Sequence, residues 1–99
     1  MLTKRLKEAR LKAGLSQEKL GILAGIDEAS ASARMNQYEK GKHTPDFEMV
    51  CNLARILKVP ENYFYTKDDL MAQMILIFHN LDQKSKIELI IAVSNNSKR

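Results

Sequence analysis

Two short helical patterns separated by a glycine lie between Leu15 and Gly41, and they constrain the fold more than any other feature of the chain. Ser16 precedes the first pattern and can act as its N-cap, because its hydroxyl oxygen can accept a backbone N–H one turn further on. Gly25 follows the pattern, and a residue without Cβ tolerates the left-handed conformation in which many helices end. Three apolar residues between them share one face at helical spacing: Leu20, Leu23 and Ala24.

The second pattern runs to Glu39 and is stopped by Gly41. A stretch of small and polar residues, Asp27–Ser32, separates it from the first pattern. Met35 and Tyr38 lie on its apolar face. Three polar residues of this second pattern lie off its apolar face: Arg34, Asn36 and Gln37. Two helices joined by a turn, with Arg, Asn and Gln on the outer face of the second, are typical of a DNA-reading helix-turn-helix.

Several segments, in this order along the chain, resemble the lambda-repressor and Cro-like (XRE-type) helix-turn-helix family of transcriptional regulators. They are Leu15-Ser16-Gln17-Glu18-Lys19-Leu20, Ala24-Gly25-Ile26, Tyr38-Glu39-Lys40-Gly41, Thr44-Pro45 and Leu53–Pro60. The resemblance covers about residues 3–65 and implies an all-α, five-helix DNA-binding domain. The interval from Gly25 to Gly41 exceeds the usual family interval by about one helical turn. Either the turn is longer, or the second helix starts early within Asp27–Ser32.

Three further helices complete the predicted DNA-binding domain, residues 1–65. The spacing of apolar residues predicts them at Thr3–Ala13, from Pro45 to about Lys58, and at Pro60–Phe64. Thr3 and either Thr44 or Asp46 are the expected N-caps, since their side-chain oxygens can accept backbone N–H groups. Phe47 is expected on the buried face of its helix. The last, short helix is expected to close the base of the core with its aromatic residues.

Two more helices are predicted beyond this domain, Asp68–Leu81 and Gln83–Ser94, and they form a helical extension over residues 66–99. They carry more apolar surface than one packing face needs. One helix-turn-helix reads only a short half-site, and longer duplex sites are matched by two-fold symmetric proteins, so this surplus predicts a homodimer. The interface candidates are Met71, Met74, Ile75, Phe78, Ile87, Ile90 and Ile91. The alternative is that the extension folds back and buries its apolar surface within one chain.

Positive charge is concentrated in the first half of the chain. Residues 1–45 hold nine Lys or Arg against five Asp or Glu, net +4, whereas residues 46–99 hold seven of each. This asymmetry favours phosphate contact by the helix-turn-helix. Arg5 and Arg10 can pair with acidic neighbours such as Glu39 or reach phosphate, and we expect a structural pairing for one of them. The N-terminal residues show no signal-peptide pattern, and no apolar run in the sequence is long enough to cross a membrane. A cytoplasmic location is therefore expected.

The sequence contains little chemistry that would suggest catalysis. His43 and His79 have no Cys or carboxylate at ligand spacing, and no glycine-rich loop could hold a phosphate. Cys51 is interpreted as a small core residue rather than a reactive thiol. We therefore expect no enzyme activity, no cofactor and no metal, and no small-molecule ligand is evident.

The candidate DNA-contacting residues form two groups. Arg34 can bind guanine bidentately, and Asn36 and Gln37 can bind adenine in the same way, so these three are the expected base readers. The expected phosphate contacts are Gln17, Ser30, Ser32, Lys40, Lys42 and His43. The role of Gln17, which is to contact phosphate and support the reading helix, is implied by the family resemblance. Ser30 and Ser32 are expected to precede that helix, where they can also cap it.

The sequence therefore predicts a sequence-specific DNA-binding transcriptional regulator, most simply a dimeric repressor that binds a palindromic operator in double-stranded DNA. The alternative is a protein-interaction module on the same fold, in which the helical extension binds a partner and the DNA-facing surface is vestigial. The basic first half and the Arg-Asn-Gln face favour the regulator.

Overall fold

The computed structural model describes residues 1–96, which form α-helices and one 3-10 helix without any strand in that range. The helices are α1 (Thr3–Lys12), α2 (Gln17–Leu23), α3 (Glu28–Glu39), α4 (Phe47–Leu57), the 3-10 helix (Glu61–Tyr65), α5 (Asp69–His79) and α6 (Gln83–Asn96). The predicted all-α fold is confirmed. Residues 97–99, at the end of the predicted extension, lie outside the described residues.

One apolar core lies among α1 to α4 and the 3-10 helix. Its largest fully buried side chains come from all five elements: Leu6, Leu20, Met35, Val50, Leu53 and Phe64. Tyr63 and Phe64 are both buried, with their rings edge to face at 5.9 Å. The backbone N–H of Leu2 donates to the carbonyl of Phe64 at 2.7 Å and joins the start of the chain to the 3-10 helix. The prediction that the short helix closes the core is confirmed.

Helices α2 and α3 approach each other closely at Gly21. A Cβ atom at this position would lie 2.9 Å from the Cβ of Ala31 and 3.0 Å from Cγ of Met35. Both distances are shorter than normal carbon–carbon contacts, so any larger residue would push the two helices apart. Gly21 and Ala31 therefore set the distance between the two helices of the helix-turn-helix.

Two of the predicted N-caps are confirmed and one is wrong. The side chains of Ser16 and Asp46 each accept the backbone N–H three residues on, at 3.0 Å and 2.8 Å. Thr3 is the first residue of α1 and not its cap, because Leu2 occupies the N-cap position and makes no side-chain cap hydrogen bond.

Helix α4 uses Asp46, one of the two N-caps that the sequence allows, and Pro45 is therefore not its first residue. Because Asp46 is its N-cap, the helix starts at Phe47, and Pro45 is a buried residue before the cap. The side chain of Phe47 is 70% exposed, so the prediction that it lies on the buried face is wrong. The buried residues of α4 begin one turn later, at Val50, and Phe47 extends beyond the end of the core.

The extension adds length to the molecule, whose principal axes measure 54 × 23 × 22 Å. Ala72 is the only buried residue of α5, and α6 has none among its residues. Apolar side chains are exposed on both helices, including Met71, Ile87 and Ile91 at 50–55%. The alternative in which the extension buries its apolar surface on its own domain is therefore wrong.

Candidate nucleic-acid interface

The structure resolves where the second helix of the helix-turn-helix begins. Helix α3 starts at Glu28, so the long interval between Gly25 and Gly41 is taken up by an early helix start. Ser30 and Ser32 therefore lie within α3 with exposed side chains, and the prediction that they precede it is wrong. The alternating alanines of this stretch have high helix propensity, which explains why it continues the helix instead of forming a turn.

The faces of α3 are divided as expected. Met35 and Tyr38 are buried, at 0% and 6% exposure, and anchor the helix in the core. Arg34 and Asn36 are exposed, and Gln37 is half-buried. The outer face of α3 therefore carries mainly polar side chains, with two exposed alanines among them, and is accessible to a ligand as large as a duplex.

Two clusters of predicted site residues flank α3. On one side, Arg34, Gln37 and His43 line a shallow cleft together with the segment that leads into α4. On the other side, Gln17, Asn36 and Lys40 lie together near the end of α1. The predicted base readers are thus shared between two clusters on either side of the helix.

A chain of hydrogen bonds crosses from α1 to α3. Arg10 donates to both carboxylate oxygens of Glu39, from Nε to Oε2 at 2.6 Å and from Nη2 to Oε1 at 3.1 Å. Gln17 Nε2 donates to Glu39 Oε1 at 3.2 Å and to Asn36 Oδ1 at 3.3 Å. Since a guanidinium only donates and an ionised carboxylate only accepts, this order fixes the orientation of both amides. These hydrogen bonds hold the side chain of Asn36 against α2.

One of the two arginines of α1, Arg5 or Arg10, was expected to form a structural ion pair, and both do. Arg10 pairs with Glu39, and Arg5 pairs with Asp69 at 2.9 Å. Both arginines are buried, at 8% and 3% exposure, so neither is placed to reach phosphate.

The loop after α3 is tied to the helix it follows. The backbone N–H groups of Lys42 and His43 both donate to the carbonyl of Gln37, at 2.9 Å and 3.4 Å. Gly41 makes this turn possible with a φ of +76°. The basic side chains of Lys40, Lys42 and His43 are exposed beside the outer face of α3.

Within residues 1–96, no three His, Cys, Asp or Glu side chains are arranged to hold a metal ion. None of the helices in that range is both long and apolar enough to span a bilayer.

A supporting helix, a glycine turn and an exposed polar helix braced by a buried ion pair define a helix-turn-helix DNA-binding protein. The chain belongs to a helix-turn-helix domain family, whose model matches residues 3–70. The sequence matches no curated protein. The crystal structure of the transcriptional regulator BswR is similar, with a TM-score of 0.91 and 46% identity over 96% of this chain and 94% of that one. The protein is an XRE-type DNA-binding transcriptional regulator, a class that is generally not enzymatic.

Proposed function

We propose that the protein is a repressor that binds a two-fold symmetric DNA site as a homodimer, with α3 of each subunit in the major groove. The observation that carries this proposal is the exposed polar face of α3 beside the basic loop Lys40–His43. Repression is the simplest outcome, because a dimer that occupies an operator excludes other proteins from that DNA without any further contact.

Base reading is assigned to Arg34, Asn36 and Gln37. Arg34 and Gln37 flank one cleft, where a guanidinium suits guanine O6 and N7 and an amide suits adenine N6 and N7. Asn36 approaches the groove from the other side of α3. Its Oδ1 already accepts from Gln17, which leaves its Nδ2 to donate to an acceptor on a base edge.

Phosphate contact is assigned to residues that border this face. Gln17 is the first residue of α2, and Lys40, Lys42 and His43 follow α3. Ser30 and Ser32 belong to the same group through their exposed hydroxyls on the first half of α3. These contacts would position the helix, whereas the three readers would supply the specificity.

The extension, residues 66–99, is proposed as the dimerisation element. Met71, Met74, Ile87, Ile90 and Ile91 are 47–55% exposed. Ile75 and Phe78, the remaining interface candidates, are half-buried. A helix without a buried residue, such as α6, gains little from its own chain, and short helices are marginal in water without packing. A second copy supplies a matching apolar surface by symmetry.

Selection of bound duplexes from a random DNA pool tests the proposal. The enriched sequence should be an inverted repeat whose half-site centres lie about one helical turn apart, roughly 34 Å. Two chains should bind each duplex by sedimentation, and transcription from a promoter that contains the repeat should fall when the protein is expressed. A single half-site bound by one chain would contradict the dimer, and increased transcription would contradict repression.

Light scattering tests the interface separately. Ile87→Glu and Ile91→Glu should convert a dimer to a monomer, since each would bury a charge in an apolar interface. Leu11→Glu is the matched control, because Leu11 is an exposed leucine (58%) on α1, outside the extension. If the wild-type chain alone is monomeric, the extension binds a different protein and the interaction-module alternative is favoured.

A further inference from the structure

Arg5 lies at the joint between the DNA-binding domain and the extension. It belongs to α1 and is only 3% exposed. Its Nε donates to the carbonyl of Thr66 at 2.9 Å, and its Nη2 donates to the carbonyl of Lys67 at 3.0 Å and to Asp69 Oδ1 at 2.9 Å. All three acceptors lie in the segment 66–69, which comprises the connection from the 3-10 helix to α5 and the first residue of α5.

Other groups reinforce this contact from the domain side. Lys4 donates to the same oxygen of Asp69 at 3.1 Å, and Glu8 pairs with Arg5 at 3.5 Å. The guanidinium also lies 5.7 Å from the centre of the Tyr63 ring. A planar guanidinium offers several donors in a rigid fork and stays charged, so it can bind several acceptors at fixed angles where an ammonium cannot.

The direction of α5 is set by its first turn and by packing along one side. Ala72 is its only buried residue, and Ile75 and Leu76 are partly buried against the core, whereas Met74 and Ile77 are about half exposed. The eleven residues of α5 span about 16 Å, so a tilt of about 10° at the first turn would move the far end by about 3 Å. This displacement is similar to the rise of one base pair, about 3.4 Å.

We propose that Arg5 is a positioning residue that determines which half-site spacing the dimer accepts. By holding residues 66–69 it fixes the start of α5, and together with the packing of Ala72, Ile75 and Leu76 it sets the direction of α5 and therefore the separation and relative orientation of the two α3 helices. The inference rests on the proposed function, in which α5 and α6 join two subunits. Each added base pair shifts a half-site by about 3.4 Å and rotates it by about 34°, so a rigid dimer accepts one spacing.

A spacer series tests this. Duplexes carry two inverted copies of the selected half-site, separated by spacers that increase one base pair at a time through a full helical turn. Fluorescence anisotropy gives the affinity of each duplex for the wild type, Asp69→Asn and Arg5→Lys. Asp68→Asn is the matched control, because it removes the same charge one residue away and an asparagine can still cap α5.

The wild type and Asp68→Asn should show one optimum, with affinity at least about tenfold lower two base pairs away, since the half-site is then turned by about 70°. Arg5→Lys should reduce this difference to about threefold or less, because the donors of an ammonium share one nitrogen and cannot replace the separate Nε and Nη2 of Arg5, which bind different acceptors. Asp69→Asn should give an intermediate profile. Affinity for a duplex with a single half-site and the dimerisation constant should stay within about twofold of wild type, because no atom of the DNA-reading surface changes.

The inference is overturned if the folded, dimeric variants keep the wild-type spacer profile. If Arg5→Lys does not fold, Asp69→Asn decides alone, because Asp69 is exposed and its replacement leaves the core intact. A wild type that is monomeric or shows no preferred spacing would overturn the proposed function as well, and this result is recognisable without any variant.

Discussion

The buried pair Arg10–Glu39 gives the sharpest prediction for stability. Its side chains are only 10% and 4% exposed, so the pair lacks the solvent screening that makes surface ion pairs worth little. It joins α1 to α3 and, through Gln17, both of them to α2. Replacing Glu39 with leucine would leave a buried guanidinium with the carbonyl of Leu15, at 2.9 Å, as its remaining hydrogen-bond acceptor.

The expected cost follows from this burial. Removal of one partner of a buried pair costs about 3–5 kcal/mol, because the other charge is left desolvated and unpaired. The total stability of a domain of this size is about 5–15 kcal/mol. Glu39→Leu and Arg10→Met should therefore each lower Tm by about 15–30 °C. The double variant removes both charges and should lie within about 2 kcal/mol of the wild type.

Urea unfolding followed by circular dichroism, at one protein concentration, measures all four free energies of unfolding. The double-mutant cycle should give a coupling of at least about 4 kcal/mol between the two positions. Lys4→Met is the control, since the Lys4–Asp69 pair is exposed and should contribute less than about 1 kcal/mol. The reasoning is refuted if each single variant costs less than about 1 kcal/mol, or if the double variant costs the sum of both.

Three further predictions concern packing, DNA contact and pH. Gly21→Ala should lower the free energy of unfolding by about 1–2 kcal/mol despite the higher helix propensity of alanine, because the new methyl group meets Ala31 at 2.9 Å. In an Ala31→Gly background Gly21→Ala should cost less than in the wild type, because the opposing methyl group is gone, and an equal cost in both backgrounds in thermal melts would place the strain elsewhere. Lys40→Ala and Lys42→Ala should each make the log–log salt dependence of DNA binding shallower by about one unit, whereas an unchanged slope would place this loop away from DNA. Hydrogen bonds from Lys4 and Arg5, together with their charge, lower the pKa of Asp69. Because the pKa of Asp69 is lower in the folded state, its ionised carboxylate stabilises the protein above the ordinary pKa of the group, and this stabilisation is lost in acid. Wild type should therefore lose more stability than Asp69→Asn between about pH 5 and pH 3. Parallel losses in the two proteins would contradict this.

Local features explain which parts of the fold could be predicted. The presence of each helix could be predicted from apolar periodicity, and the helix ends could be predicted from N-caps and glycines. Both kinds of signal are local, because they act within about one turn of the chain. Ser16 and Asp46 cap as expected. The start of α3 could not be decided in the same way, since Ser30 and Ser32 have no apolar period and serine can either cap a helix or lie within one.

Contacts between distant residues were harder to predict. Glu39 was visible as a possible partner of Arg10, but Asp69 was not expected as the partner of Arg5, which lies 64 residues away. No local pattern connects such positions. The close approach at Gly21 was also missed, although a signal was present: glycine within a helix costs about 1 kcal/mol relative to alanine, and it often has a packing reason.

Base reading by α3 is the property on which the proposed function depends. The most direct test is a titration of wild type and Gln37→Ala with the selected duplex and a scrambled duplex at one fixed salt concentration. The wild type should bind the selected duplex at least about 10³-fold more tightly than the scrambled one. Gln37→Ala should lose about 1–3 kcal/mol on the selected duplex and little on the scrambled one. Equal affinity of the wild type for both duplexes, or an equal loss on both in the variant, would contradict base reading by α3.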